Sequence, residues 1–188
     1  LEDYENALPL YKEAYQLALE HKSIELQQVS GIMLIKYLCG AGYYSESLEY
    51  YNKIKPEIAF NPSMQNEVVK SYMELNKPDS ARIYLAARLL SERGDKIVLN
   101  CMMAETYIPE GQEDSAFVFL DRAMKSYKEK AKNYQKQGRE AILPNCFLSP
   151  CYLFADLLWK KGKIQQASQY YMIVEPLMKE RVKTPVRM

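Results

Sequence analysis

Residues that favour β-strands and tight hairpins are scarce in this sequence. Thr106 and Thr184 are the only threonines, valine and isoleucine together supply 19 of the 188 residues, and glycine supplies 7. β-Branched residues suit strands and hairpin turns commonly require glycine, so this composition argues against an all-β sandwich or barrel. It predicts an all-α protein.

A strong charge of one sign is lacking too. Lysine and arginine (25) nearly balance aspartate and glutamate (24), which leaves a net charge of +1 and no global field that would attract nucleic acid or an acidic membrane. No apolar run approaches the roughly 18 residues of a spanning helix, because the densest stretch, residues 32–35, ends at Lys36. We therefore predict neither a membrane span within the chain nor a nucleic-acid partner.

Catalytic and metal-binding patterns are absent as well. His21 is the only histidine, and there is no glycine-rich phosphate loop, nucleophile elbow or metalloprotease helix motif. Cys146 and Cys151 are five positions apart, which fits neither a zinc site nor a redox pair. Together with Cys39 and Cys101 they are interpreted as reduced packing residues, which favours a cytoplasmic location. The sequence predicts no enzyme, no metal site and no cofactor.

A pattern repeats along the chain: a small residue, a bulky residue four positions on, and a third residue three positions further. The small residues are 40, 34, 35 and 51 positions apart, which indicates a period near 34 with 6 extra residues in the first interval and 17 in the last. The matches are Ala7/Tyr11/Ala14, Ser47/Tyr51/Ile54, Ala81/Leu85/Arg88, Ala116/Leu120/Ala123 and Ala167/Tyr171/Val174.

A second apolar cluster precedes every match after the first by about one helix length. The clusters are Leu34/Ile35/Leu38, Val68/Val69/Tyr72, Met103/Ala104/Tyr107 and Phe154/Ala155/Leu158. Their spacing places each set on one face of a helix. Residues 40–42, 76–79, 109–111 and 161–163 lie between cluster and match and contain the helix-breaking residues of a turn. Each unit is therefore predicted to be helix, tight turn, helix, with the 17 extra residues lengthening an amphipathic helix before Gly138.

On these residues the chain resembles the tetratricopeptide repeat family. The clearest segments are residues 42–51 (GYYSESLEYY) and 162–171 (GKIQQASQYY), each similar to the family's turn followed by its second helix. The early tryptophan of the family is missing, and its glycine in the first helix is replaced by Ile35, Val69, Ala104 and Ala155. The resemblance implies an all-α solenoid of antiparallel helix pairs that winds as a right-handed superhelix.

The resemblance predicts a single array over residues 1–188, with about five repeats of which the first is incomplete. The approximate units are 1–22, 23–60, 61–94, 95–146 and 147–183, and residues 184–188 are a linker or tail. The opening segment resembles a second helix without its first, so we expect the natural protein to continue upstream. Uncapped ends of such an array expose apolar faces through which copies can associate.

In the family, the first helices line a concave groove in which partner peptides lie. Transferred residue by residue, the resemblance implies a groove lined by Ile32, Lys36, Asn66, Lys70, Met73, Cys101, Glu105, Ile108, Tyr152, Asp156 and Trp159. Its charge would run from positive at Lys36 and Lys70 to negative at Glu105 and Asp156, which favours a partner segment of mixed charge. The carboxylate clamp of chaperone-binding members is not predicted, because Met102 replaces a polar member.

A basic stripe recurs at helical spacing in the lengthened segment, formed by Lys125, Lys128, Lys132, Lys136 and Arg139. A solvated outer helix face explains this pattern most simply, since long lysine stems cover apolar surface. The alternative is a docking face for an acidic partner.

These observations favour a non-catalytic protein–protein interaction module that binds a peptide or partner segment in its groove. An alternative is the ligand- or protein-sensing region of a bacterial signalling or transcription regulator. Such a region would be attached to a membrane helix, kinase or DNA-binding output outside this chain, and a membrane-anchored sensor would place it in the periplasm.

Overall fold

The computed structural model describes residues 2–58, 64–91, 95–138 and 148–183. Within these ranges the chain forms nine α-helices, one short 3-10 turn at Ile108–Glu110 and no strand. The helices are α1 (Glu2–Glu20), α2 (Ile24–Gly40), α3 (Tyr44–Ile58), α4 (Gln65–Glu74), α5 (Pro78–Leu90), α6 (Lys96–Glu105), α7 (Glu113–Lys136), α8 (Leu148–Lys160) and α9 (Ile164–Lys183). The predicted all-α class is confirmed. In this part of the chain no helix combines the length and apolarity needed to span a bilayer.

Local signals in the sequence set several helix starts. The Ser23 hydroxyl accepts a hydrogen bond from the Leu26 N–H at 3.3 Å, and the Asp95 carboxylate accepts one from the Ile97 N–H at 2.9 Å. Each side chain caps an N–H group that would otherwise lack a partner in the first turn. Pro78 begins α5, where its missing N–H costs nothing.

One type of turn recurs between the helices. The N–H of Tyr43, Lys77 and Lys163 donates to a carbonyl five residues earlier, at 2.8, 2.9 and 2.9 Å. The residue before each of these has a left-handed backbone, with φ of 87° at Gly42, 54° at Asn76 and 73° at Gly162. This is the helix-ending geometry in which glycine or asparagine costs least. The predicted helix–turn–helix units are therefore present at these positions.

Unit 1 (Leu1–Gly94) is the first of two compact units. It contains α1 to α5, in which each helix packs on the next and α2 also contacts α4. The cluster predicted on α2 lies at the centre, because Leu34, Ile35 and Leu38 are fully buried. The core of unit 1 consists of Tyr15, Leu34, Ile35, Leu38, Leu48, Tyr51, Ile54, Met64 and Val68.

Unit 2 (Asp95–Met188) contains α6 to α9, again with each helix packed on the next. Small residues lie at several of these contacts: Ala104, Ala116 and Ala167 have no exposed surface, and their size lets helices approach closely. Phe154 fills the centre, with its ring 5.1 Å from that of Phe117. The apolar core extends through Leu120, Ala123, Leu148, Ala155, Leu158, Tyr170 and Val174.

The first match of the repeat pattern is wrong at its third position. Ala14 is exposed, whereas Tyr15 and Ala18 are buried. Tyr11, the middle position, packs against the core of unit 1, so the match is displaced only at its last position, and by one residue. Packing on α2 selects the face that carries Tyr15 and Ala18.

The lengthened helix is confirmed. α7 spans 24 residues and ends just before Gly138, which has φ of 68°. Arg139, Cys146 and the predicted tail at 184–188 lie outside the described residues.

Candidate partner-binding faces

In unit 1, α2 and α4 carry five of the predicted groove residues. Ile32 and Lys36 are half-buried on α2, while Asn66 and Lys70 are exposed and Met73 half-buried on α4. The positions on α4 are spaced by four and three residues, so they share one helix face. The Lys70 ammonium lies 5.7 Å from the centroid of the Tyr44 ring, which restrains this otherwise exposed cation through a cation–π contact.

The next predicted positions fall on α6 and on the 3-10 turn of unit 2. Cys101 is 3% exposed and belongs to the core, so its side chain lines no surface. Glu105 is exposed at the end of α6, and Ile108 is half-buried. Partial desolvation by the surrounding chain raises the pKa of the Glu105 carboxyl. Of the two predicted groove residues on α6, only Glu105 is exposed.

The predicted positions on α8 form a face on which two side chains contact the same tyrosine of α9. Tyr152 is 43% and Trp159 54% exposed, although most of the helix around them is buried. Between them the Asp156 carboxylate accepts a hydrogen bond from the Tyr171 hydroxyl of α9. Desolvation, together with this bond and the negative charge, raises the pKa of Tyr171 to about 12. The Tyr171 ring also meets Tyr152 edge-on at 5.3 Å, so these side chains fix one another.

The sign of the charge at the predicted positions differs between the two units. Unit 1 presents Lys36 and Lys70, whereas unit 2 presents Glu105 and Asp156. The difference holds for the predicted positions only, because the same helices also carry charges of the opposite sign, such as Glu74 on α4 and Lys160 on α8.

The basic stripe is exposed along α7, where Lys125, Lys128, Lys132 and Lys136 all face solvent. Lys125 pairs with Asp121 at 2.7 Å, one turn earlier on the same helix. Lys132 and Lys136 lie further along the same helix.

Sequence reasoning missed the cleft beside this stripe. A depression of about 380 Å³ lies between α7 and α9, with α8 at its base. We call it the lysine cleft and define it by Phe117, Lys125, Lys128, Phe154, Lys163 and Tyr170. The spacing of lysines along α7 does not reveal this cleft, because Lys163 and Tyr170 come from another helix pair of the unit.

A polar cluster inside unit 1 was also missed. The pattern placed Arg88 at a packing position, and its side chain is 3% exposed. The Gln65 amide oxygen, turned towards it, accepts hydrogen bonds from Nη2 at 2.6 Å and Nε at 3.3 Å. The hydroxyls of Tyr51 and Tyr84 hydrogen-bond each other nearby, and burial raises the pKa of both. The arginine is therefore a hydrogen-bonded core residue.

The described cysteines are reduced and buried. Cys39, Cys101 and Cys151 form no disulfide, and burial raises the pKa of Cys151 to about 12. Cys39 donates to the Glu67 carbonyl at 3.6 Å. Among the residues that the structure describes, no three His, Cys, Asp or Glu side chains converge as metal ligands would.

Comparison with known proteins identifies one segment of the chain. Residues 148–172, which cover α8 and the first half of α9, match the family model described as tetratricopeptide repeat. No curated protein and no solved structure matches the chain significantly. This family generally mediates protein–protein interaction and is generally non-catalytic. The α8–α9 pair is therefore similar to a tetratricopeptide repeat, and this match supports the resemblance that the repeated helix-pair pattern indicates.

Proposed function

We propose that this chain is a non-catalytic protein-binding module whose first helices present the partner-binding face, with α8 as its main contact. The observation that carries this proposal is the exposure of Tyr152 and Trp159 on α8. The opposite side of the same helix is packed into the core through Phe154 and Leu158. The exposed aromatics are therefore available without any cost to the fold.

The α8 face has the properties of a binding hot spot. Tryptophan and tyrosine are enriched among residues that dominate binding energy, since they bury large areas and lose little conformational entropy. Tyr152 is already held against Tyr171, and Tyr171 is held by Asp156. This preorganisation lowers the entropy that a partner must overcome on binding.

Charged residues on the same set of helices would select the partner. Within unit 1, Lys36 and Lys70 favour an acidic stretch of a partner, and within unit 2, Glu105 and Asp156 favour a basic one. Such rim charges act mainly on the association rate and on register rather than on total affinity. Reversing the charges in Lys70→Glu and Glu105→Lys should therefore slow association and change its salt dependence.

Trp159 provides the test, because it is the only tryptophan in the chain. A photo-crosslinking residue at position 159 should capture the partner, whereas the same residue at Met172, 68% exposed on α9, should not. Titration of the wild-type chain with that partner should shift the tryptophan emission to the blue as the indole loses water.

The matched pair Trp159→Ala and Met172→Ala then measures the contribution of the face. We expect Trp159→Ala to weaken binding about tenfold or more and Met172→Ala to leave it nearly unchanged. Both side chains are exposed, so neither change should unfold the chain, which circular dichroism would verify. Wild-type affinity in Trp159→Ala would remove the α8 face from the proposal.

A further inference from the structure

The lysine cleft of unit 2 combines an aromatic lining with three lysines, of which Lys125 pairs with Asp121, a carboxylate that also lines the cleft. Phe154 and Tyr170 are 3% and 8% exposed and form its base, and Phe117 is half-buried beside them. The Lys128 ammonium lies 5.1 Å from the Tyr170 ring centroid, and the Lys163 ammonium lies 5.3 Å from that of Phe117. Cation–π contacts thus hold two positive charges on the walls of the cleft.

Two lysines of the cleft differ from the other lysines near it in their pairing. Lys160 pairs with Glu113, Lys161 pairs with Asp114, and Lys125 pairs with Asp121. Lys128 and Lys163 pair with no carboxylate among the described residues. Because a lysine ammonium carries three hydrogen-bond donors and accepts none, these two side chains offer their donors to a ligand.

The shape of the cleft restricts what that ligand can be. Its volume of about 380 Å³ is near the lower end of small-molecule sites, which span about 300–1,000 Å³. It has room for one large side chain and the backbone beside it. The apolar base favours an aromatic or aliphatic group, and the cations at the walls favour carboxylates next to that group. Gln166 and Gln169 of α9 add amide groups that can bond a peptide backbone.

We infer that the lysine cleft binds an acidic segment of a partner protein, which inserts one aromatic side chain between α7 and α9 and places flanking carboxylates on Lys128 and Lys163. This site is separate from the α8 face proposed above, because its lysines come from α7 and from the turn before α9, and α8 contributes only core residues such as Phe154 to its base. A polyanion without an apolar group would leave the aromatic base in water, so nucleic acid fits the cleft less well.

The experiment uses the full chain and a synthetic probe. The probe is a fluorescein-labelled short peptide with a single phenylalanine between aspartates and glutamates, and binding is followed by fluorescence polarisation. We expect saturable binding that weakens as salt is added. Replacing the phenylalanine of the probe by alanine, or its acidic residues by asparagine and glutamine, should each weaken binding about tenfold.

Matched variants locate the site. Lys128→Gln with Lys163→Gln should weaken binding about tenfold, whereas Lys132→Gln with Lys136→Gln removes the same amount of charge further along α7 and should change it less than about twofold. Lys128→Arg with Lys163→Arg should restore most of the affinity, because charge returns at both places. All four lysines are exposed, and circular dichroism would confirm that the variants remain folded.

Four results would overturn the inference. They are absence of saturable binding to the probe, wild-type affinity in the Lys128/Lys163 variant, equal loss in the Lys132/Lys136 variant, and equal affinity for an oligonucleotide. Trp159→Ala should leave binding of this probe unchanged. Failure of the cleft therefore remains distinguishable from failure of the α8 face.

Discussion

Units 1 and 2 are built from the same helix-pair pattern but have chemically different cores. Unit 1 buries Arg88 at the third position of the pattern, hydrogen-bonded to Gln65 of α4. Unit 2 has Ala123 and Val174 at the corresponding positions, inside an apolar core centred on Phe154. At these three positions the pattern specifies burial but not polarity, which depends on the neighbouring helix.

The comparison also shows why a charged residue can occupy a buried position in one unit. A guanidinium removed from water is costly unless its donors find acceptors. In unit 1 the Gln65 oxygen accepts two of its hydrogen bonds, and the aromatic side chains of Tyr51 and Tyr84 surround it at the α3–α5 contact. In unit 2 the same position of the pattern lies in an apolar core and is occupied by the apolar residues Ala123 and Val174.

The largest expected effect is on the apolar core. Phe154→Ala should lower the free energy of unfolding by about 3–5 kcal/mol, because it removes a buried ring that contacts Phe117 and Tyr170. Denaturant titration followed by circular dichroism measures this loss. Leu90→Ala, at a side chain 87% exposed, is the control and should change stability by no more than about 0.5 kcal/mol.

Buried thiols report which unit is affected. A Cys146→Ser background leaves three cysteines, all of them buried. Cys39 lies in unit 1, and Cys101 and Cys151 lie in unit 2. Because the folded chain raises the pKa of Cys151 from 9.0 to about 12, this thiol is protonated at pH 8 and should react only after opening. Phe154→Ala should speed labelling of Cys151 more than that of Cys39. Equal acceleration would mean that the two cores open together.

The second prediction concerns the polar core of unit 1. Arg88→Met should cost about 1–3 kcal/mol, since the Gln65 oxygen is left without its partner in a buried place. The double variant Arg88→Met, Gln65→Leu should recover part of this loss, because both polar groups are then removed. Arg122→Met, at an exposed arginine of unit 2, is the control and should be nearly neutral. A neutral Arg88→Met would show that the polar cluster adds nothing to stability.

The smallest effect is expected where the two units differ by one hydroxyl. Ser47 occupies the small-residue position that Ala116 and Ala167 occupy in unit 2, and its hydroxyl donates to the Ile35 carbonyl at 3.2 Å. Ser47→Ala removes this bond but creates no large cavity, so the loss should stay within about 1 kcal/mol. Thermal unfolding would measure it, and a loss above about 2 kcal/mol would show that Ser47 does more than fill the small position.

Much of the fold could be predicted from the sequence. Leu34, Ile35 and Leu38 were assigned to one buried face from their spacing alone, and they are fully buried. The turns were predicted from Gly42, Gly162 and the residues before Pro78, because helix-ending geometry depends on nearby residues. The last position of the first match was not, because packing against α2 buries Tyr15 instead of its neighbour Ala14.

Less of the candidate sites could be predicted. The resemblance assigned Cys101 to a groove, yet the packing of α6 places this residue in the core. The basic stripe was visible along α7, but only Lys125 and Lys128 belong to a cleft, and they share it with Lys163. Spacing along one helix carries no information about which side chains of a different helix come near.

The sequence by itself determined the all-α class, the helix-pair period and the places where the helices end, because hydrophobic spacing and turn residues act within about one turn of helix. Only the tertiary structure decided that Arg88 is buried beside Gln65, and that Lys128 and Lys163, 35 positions apart, converge on one aromatic cleft. These outcomes depend on how separate helices pack, and packing is set by the shapes of many side chains together.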